Sequence, residues 1–457
     1  MPVRPAALRL LAPAAAGLLA LVPAAASAAP APDITVDFGA AVRPVPRTTF
    51  NIDITGYGSG SYVTNDAAVR SMLGGGRYGQ ARMELRYTRP GDPTSKIVAG
   101  GAGADTTHTG ADWISSIKAL GAAPAVIVPL DATDAANLVR HFNTGASPQR
   151  VERWIVGNEH PDAAAYAAAF NRVHDAMKAV DPTIEVGGPG AASPDMTYLR
   201  EFLRVSGSRV DFVDFHKYGA GGDVLRCDGE LLARTGEWGQ DIERARAVVT
   251  ETVPARADRI EIQVGELNSD WSEHLPPASC GNVGDGPIQY RNAAIWWSAS
   301  VFGHIARAGG SGFLYGDKNG ALGILYDRPG DQRPAYARNG AGVNERMPVY
   351  QGLGFFTGAQ GTSLARFGST LVSSATSLPD VEVYASADPR VIVVVNKGAT
   401  PRTATVALSQ GTTVTGHQKD GTTVSYALPR PLGTLPVTGG RLSVPLSGPS
   451  VTQLVVS

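Results

Sequence analysis

The stretch Arg153-Trp154-Ile155-Val156-Gly157-Asn158-Glu159-His160-Pro161 decides how the rest of this 457-residue chain is read. Trp154, Ile155 and Val156 suit a buried strand, Gly-Asn-Glu follows as a break, and a helical pattern starts just past Pro161. A carboxylate at the end of a parallel strand, with an Asn beside it, is a common way to present an acid to a substrate. Alone, the tripeptide would serve equally as a turn carrying a surface glutamate. Its meaning depends on what stands on either side.

Downstream, Tyr166, Phe170, Val173, Met177 and Val180 make one helical stripe, ended by Asp181-Pro182. Residues 184–188 read as a strand, and another helix follows. Residues 210–218 (Val-Asp-Phe-Val-Asp-Phe-His-Lys-Tyr) form the next strand, with Asp214, His216 and Tyr218 on one face. Residues 259–266, ending in Val-Gly-Glu, give one more strand; 288–308 form an apolar helix closed by Gly309-Gly310, and 312–316 a last buried strand. Upstream, 123–129 is a short continuous apolar run, as expected of a strand covered on both faces. Helices are expected at 112–120 and 134–142, and residues 49–54 alternate with period two.

Residues 81–86 (Ala-Arg-Met-Glu-Leu-Arg) place Arg82, Glu84 and Arg86 on one face and Met83 and Leu85 on the other. Three charges on one face of a central strand are too costly to bury in an apolar interior. They fit a face that lines a polar site at the mouth of a barrel.

Strands centred on Phe50, Met83, Val126, Ile155, Val186, Phe212, Ile262 and Phe313, mostly separated by helices, predict an α/β chain with a (β/α)8 TIM barrel. A doubly wound sheet competes, but no Gly-rich phosphate loop follows the first strand. Beyond about Asn344 the texture changes to short strands at 381–386, 391–396, 403–408, 424–428 and 451–456, which predicts a β-sandwich. The expected layout is a barrel over 33–345 and a β-sandwich over 346–457, with the strand at 33–38 a possible member of the second unit.

The first 28 residues read as a secretory signal peptide: Arg4 and Arg9, an Ala/Leu core, then Ala26-Ser27-Ala28 as a small-x-small cleavage pattern. No later stretch is long enough to span a membrane, which points to a secreted, extracellular protein. After export, the two cysteines, Cys227 and Cys280, favour a disulfide over two unrelated thiols. They fall in the loops after strands six and seven, so a bridge would brace two walls of the catalytic face. With 18% charged and 43% hydrophobic residues and a net charge of −1, the chain is globular and offers no basic block for nucleic acid. No cofactor is called for. Eight scattered histidines give no metal-ligand spacing, and Asp317-Lys318-Asn319-Gly320 is a fragment of a calcium loop that reads better as a turn. Oligomeric state is not legible.

In a TIM barrel, Asn158-Glu159 on strand four, Asp214-His216-Tyr218 on strand six and Glu266 on strand seven all fall at the carboxyl ends. Two carboxylates with an aromatic rim are what glycosidic bond cleavage needs: one protonates the leaving oxygen while the other attacks carbon or activates water. Arg86 is expected to hold Glu266 ionised, with tyrosines or His216 orienting it. Trp271, Trp296 and Tyr315 offer flat apolar surface to sugar rings, although Trp296 and Trp297 lie within a helix and read as core.

These residues resemble the motifs of clan A retaining glycoside hydrolases. Val156-Gly157-Asn158-Glu159-His160-Pro161 is similar to their acid/base motif, with His160 intruding before the proline, and Val264-Gly265-Glu266 to their nucleophile motif. Asp214-Phe215-His216-Lys217-Tyr218 resembles the strand-six motif and Arg86 the strand-two arginine. The likeness spans nearly the whole mature chain, because families 39, 51, 30 and 79 also append a β-sandwich; family 39 is the nearest in texture. The resemblance implies a two-glutamate double displacement on an extracellular polysaccharide or oligosaccharide. Glu159 would be acid/base and Glu266 nucleophile, with Asn158 holding the sugar 2-hydroxyl. A carbohydrate-binding protein on an inactive scaffold and a transglycosylase are the competing readings.

Overall fold

The computed structural model describes residues 30–54, 77–100, 105–145, 149–272, 274–281, 286–316, 345–358 and 362–457, with the single positions 1, 73, 74 and 322. The expected leader and the Asp317–Gly320 turn lie outside these residues.

Eight strands close a parallel barrel: β2 (Phe50–Asp53), β3 (Gln80–Tyr87), β5 (Ala123–Val128), β6 (Arg153–Val156), β7 (Glu185–Ala191), β8 (Phe212–Tyr218), β9 (Glu261–Asn268) and β10 (Ser311–Tyr315). The ring is sealed by parallel pairing of β2 to β3 and of β10 to β2. A short strand, β4 (Ile97–Ala99), runs antiparallel to the far end of β3. Helices alternate with the strands because their apolar stripes need the barrel wall. In α3 (Ala163–Val180), Tyr166, Phe170, Val173 and Met177 are fully buried, and Asp162 caps the first turn through the Ala165 N–H at 2.9 Å. The other helices that matter below are α1 (Gly110–Ala119), α2 (Ala132–Val139), α4 (Met196–Ser206), α5 (Asp228–Ala233), α6 (Glu237–Thr252), α7 (Asn292–Ala308) and α8 (Pro348–Thr357). Among the described residues, no helix is long and apolar enough to cross a membrane.

The barrel interior is layered. Its lower part holds Arg153, stacked on the Phe212 ring and hydrogen-bonded to Gln263. Ala125, Ile127, Ile155, Phe212 and Phe313 fill an apolar layer. Polar groups gather at the carboxyl ends of the strands.

A second sheet of nine strands runs β16-β15-β18-β13-β12-β11-β1-β14-β17. Its members are β1 (Ile34–Pro44), β11 (Thr370–Thr376), β12 (Val381–Ala387), β13 (Val391–Asn396), β14 (Arg402–Leu408), β15 (Thr413–Asp420), β16 (Arg430–Pro436), β17 (Arg441–Leu446) and β18 (Ser450–Val456). The sheet is mostly antiparallel and wraps a core of its own, making the β-sandwich. β1 pairs with β11 and β14, so the first strand of the chain sits in this sheet and the barrel strands begin at β2. Residues 424–428, expected to be a strand, are a turn: Ser425 donates to the Tyr290 carbonyl and Gln351 donates to the Ser425 carbonyl, which turns the segment toward the barrel instead of along the sheet.

The run Val391-Ile392-Val393-Val394-Val395 explains how the two parts meet. Ile392 and Val394 face the sandwich core, while Val391, Val393 and Val395 pack into the core shared with the barrel. A strand covered on both faces must be apolar throughout, and this one is.

Candidate active site

Asp53 ends β2, and the register places it beside Arg82 on β3. Arg82 is fully buried and its guanidinium organises everything above it. One terminal nitrogen bonds Asp53 and lies 2.7 Å from Glu266 Oε1. The other donates to Asn158 Oδ1 at 2.7 Å and lies 3.1 Å from His216 Nε2. Five donors in a fixed fork suit this task, and lysine could not cover the same partners.

This corrects the sequence reading in one respect. Arg86 was expected to hold Glu266 ionised, and Arg82 does so. Both lie on one face of β3, but Arg86 stands four residues, or about 13 Å, further along the strand, where β3 has passed the barrel mouth and pairs with Val98 of β4.

Glu266 reaches the site through a bulge. Pairing of β8 with β9 runs Phe215 opposite Val264, then His216 opposite Glu266, leaving Gly265 unpaired. Strict alternation would point Gly265 inward and Glu266 outward; one extra residue reverses that. The carboxylate then accepts from Tyr218 Oη at 2.7 Å and from Arg82, and is 12% exposed. Burial favours its neutral form, but the charges of His216 and Arg82 and the Tyr218 hydrogen bond outweigh burial and hold its pKa below the ordinary carboxylate value.

Glu159 stands on the opposite side. Gly157 leaves β6 with φ +69°, and its N–H donates to the Val128 carbonyl at 2.8 Å. Glu159 itself adopts φ +52°, a left-handed conformation that a non-glycine residue takes up at a cost. Its N–H donates to the Gly190 carbonyl at 2.8 Å, which pins that conformation. The side chain is 42% exposed and accepts from His216 Nδ1 at 2.8 Å. His160, its neighbour, engages the start of α3, where the Asp162 N–H lies 3.2 Å from Nδ1.

His216 is fully buried between the two acids, with Nδ1 2.8 Å from Glu159 and 3.5 Å from Glu266. Burial lowers its pKa, yet the Glu266 charge and the Glu159 hydrogen bond outweigh that and raise it. In the neutral ring the Arg82 donor at Nε2 fixes the tautomer, so Nδ1 carries the proton that is shared toward Glu159. Glu159, His216 and Glu266 offer three ligand atoms within 4.8 Å of one another, close enough for a cation. Their chemistry does not fit one: the histidine atom in the set bears the proton, and Arg82 already supplies positive charge to Glu266.

The structure therefore brings Asn158, Glu159, His216, Tyr218 and Glu266 together. Asn158 is exposed; with its oxygen committed to Arg82, its amide N–H groups are left for a ligand. Tyr315 is buried at the end of β10, where its carbonyl accepts from Asn268. A cavity of about 340 Å³ is lined by His216, Tyr218 and the 50% exposed Trp271; it meets the acids only through His216 and Tyr218, and neither glutamate lines it. The indole packs against Gly221 and Gly222; a side chain at Gly221 would collide with it, and one at Gly222 would press on it at 3.2 Å. Cys227 and Cys280 form a disulfide between the loops after β8 and β9, with Cα atoms 5.5 Å apart. Trp296 is buried in α7, as core. Asp53 is the site residue the sequence reading passes over, and Arg82, placed there only on the polar face of β3, is the one whose contacts it does not foresee. The available signal was the first inward charge of β3 lying beside the last residue of β2.

No protein-family model matches the chain, and no curated protein sequence matches it. Solved structures share its fold. An α-L-arabinofuranosidase from Thermotoga maritima, in complex with arabinose, superposes with a TM-score of 0.71 at 15% identity over 93% of this chain and 100% of that one. A family 51 arabinofuranosidase from Xanthomonas axonopodis pv. citri gives 0.70 at 15% identity, again over 93% and 100%. A family 44 xyloglucanase from Paenibacillus polymyxa gives 0.64 at 15% identity over 93% and 99%. Family 51 is among those the sequence motifs suggested, and the match takes in both the barrel and the sandwich.

Proposed function

We propose that this chain is a secreted retaining glycoside hydrolase that cleaves an extracellular polysaccharide or oligosaccharide through a glycosyl-enzyme intermediate. The observation that carries the reading is the pair of acids at the barrel mouth, with one oxygen of Glu159 and one of Glu266 within 4.8 Å of each other. Retention needs carboxyl groups roughly 5–5.5 Å apart, and inversion about 6.5–9.5 Å to admit a water between them. The names of the solved relatives, arabinofuranosidase and xyloglucanase, fit a plant-wall substrate.

In the first step Glu266, kept anionic by Arg82 and Tyr218, attacks the anomeric carbon as the bond to the leaving oxygen breaks, and Glu159 gives that oxygen its proton. Glu159, now a carboxylate, takes a proton from water in the second step. The resulting hydroxide attacks the anomeric carbon and releases Glu266 from the ester. Asn158 donates to a sugar hydroxyl beside the reacting carbon, and Trp271 stacks on a ring further along the cavity. A cleavable leader and a disulfide both suit an oxidising extracellular setting.

The test is turnover of arabinofuranosides, xylosides, glucans and xylans by wild type, Glu159→Gln and Glu266→Gln, with product configuration followed by NMR. Retention, and losses of ~10³-fold or more in both variants, are expected. Glu159→Gln should keep activity best on substrates with good leaving groups, which need no acid. Inversion, or variants as active as wild type, would overturn the proposal; products carrying an acceptor sugar in place of water would mark a transglycosylase.

A further inference from the structure

Asp214 lies behind both glutamates, and the two-step reaction does not use it. It is 1% exposed on β8, and among the described residues neither carboxyl oxygen has a hydrogen bond of good geometry, the Gln263 side-chain amide beside it being the one donor that draws on it. An ionised carboxylate in such surroundings costs several kcal/mol unless it is paired. The ionisable groups that feel it are Arg82 from β3, His216 on its own strand, Glu266 from β9 and Tyr166 from α3. Arg82 is already shared among Asp53, Glu266 and Asn158.

Its position is specific. Pairing of β7 with β8 passes from Pro189 opposite Asp214 to Ala191 opposite Phe215, leaving Gly190 as a bulge. The bulge at Gly265 lies on the other side, on β9. Asp214 occupies the space next to both. A methyl group on Gly265 would collide with its carboxyl, 2.6 Å from Oδ2, and one on Gly190 would touch Oδ2 at 3.8 Å. Each bulge serves one acid: the Gly190 carbonyl holds the Glu159 N–H, and the Gly265 bulge turns Glu266 inward.

We propose that Asp214 is a positioning residue for both acids, a neutral carboxylic acid wedged between two glycine bulges so that Glu159 and Glu266 keep their spacing. Burial pushes its pKa up against the pull of Arg82, His216 and the nearby Gln263 amide, in keeping with the neutral form. Shape and not charge is then what the site requires of it.

The proposal rests on the two-glutamate reading, and four measurements on the full chain separate the two. Asp214→Ala should lose ~10²-fold in kcat with KM within about twofold, as expected of misplaced reacting groups. Asp214→Asn, with the same shape and no charge, should restore most of that loss and leave both limbs of the pH–rate profile in place. Gly265→Ala should be impaired, and adding Asp214→Ala to it should raise kcat, because the space is then free for the new methyl group. Difference infrared spectra of wild type against Asp214→Asn should show the carbonyl band of a protonated acid. Asp214→Asn as poor as Asp214→Ala, a shifted pH limb, an additive double variant, or a missing band would each overturn the wedge. If wild type cleaves no glycoside, the glycosidase reading falls, while the infrared band and the same cycle read as thermal stability still decide the state and place of Asp214.

Discussion

Glu382→Gln should weaken the protein in a way that pH can switch off. Glu382 projects from β12 toward the barrel helices. Its Oε1 meets Lys397 Nζ at 2.5 Å and His304 Nε2 at 3.0 Å, and its Oε2 accepts from Tyr384 Oη at 2.9 Å and from the Ser300 hydroxyl. His304 and Ser300 belong to α7 and the other partners to the sandwich, so one carboxylate ties the two parts. Burial would raise its pKa, but His304, Lys397 and their hydrogen bonds bring it from 4.5 down to about 2. At 1.36 kcal/mol per pKa unit this shift corresponds to about 3 kcal/mol. Because the folded value lies below the unfolded one, that stability is fully present above the unfolded value of 4.5 and is lost as pH falls toward 2. Urea unfolding of wild type and Glu382→Gln at pH 7 should differ by about 3 kcal/mol, and at pH 3 by less than half as much. A gap under about 0.5 kcal/mol at pH 7, or one that does not change with pH, would refute the reasoning.

Two further outcomes follow from the active-site geometry. Arg82→Lys keeps a charge but cannot reach Asp53, Asn158 and Glu266 at once, so the acidic limb of kcat/KM should move to higher pH by about one unit as Glu266 becomes harder to ionise. Trp271→Ala should raise KM for polysaccharides by ~10-fold while leaving small aryl glycosides nearly unchanged, since only longer substrates reach the indole; equal losses on both would place Trp271 elsewhere in the reaction.

Much of this architecture is legible in the chain because burial leaves a periodic mark. β5 is a continuous apolar run, as are β6 after Arg153 and β10 after Ser311, and the stripe of α3 has an unbroken helical period. Where polar pairing replaces burial as the organising force, that mark disappears. β15 (Thr-Val-Thr-Gly-His-Gln-Lys-Asp) is a strand whose Gln418, Lys419 and Asp420 are buried by hydrogen bonds, among them Gln418 to the Pro445 carbonyl and Lys419 to the Val424 carbonyl. Hydropathy reads it as loop and shifts the expected strand to 424–428, where Val424 and Leu428 are exposed. Arg82 and Arg86 share a face, and only the register of β2 with β3 says which of them stands at the barrel mouth. The inward turn of Glu266 depends on a bulge that no alternation predicts.

The strand Val391–Asn396 belongs to two interiors at once. Its three barrel-facing valines are fully buried, and removing them from water contributes about 5 kcal/mol as an upper estimate, comparable to the net stability of many whole domains. A chain cut near residue 360 would therefore leave a greasy flank on α7, and the severed sandwich would carry the matching one. Protein engineers should treat the C-terminal sheet as a fixed side of the catalytic body and not as an exchangeable appendage: grafting it onto another barrel, or trimming it away, means rebuilding the wall it completes.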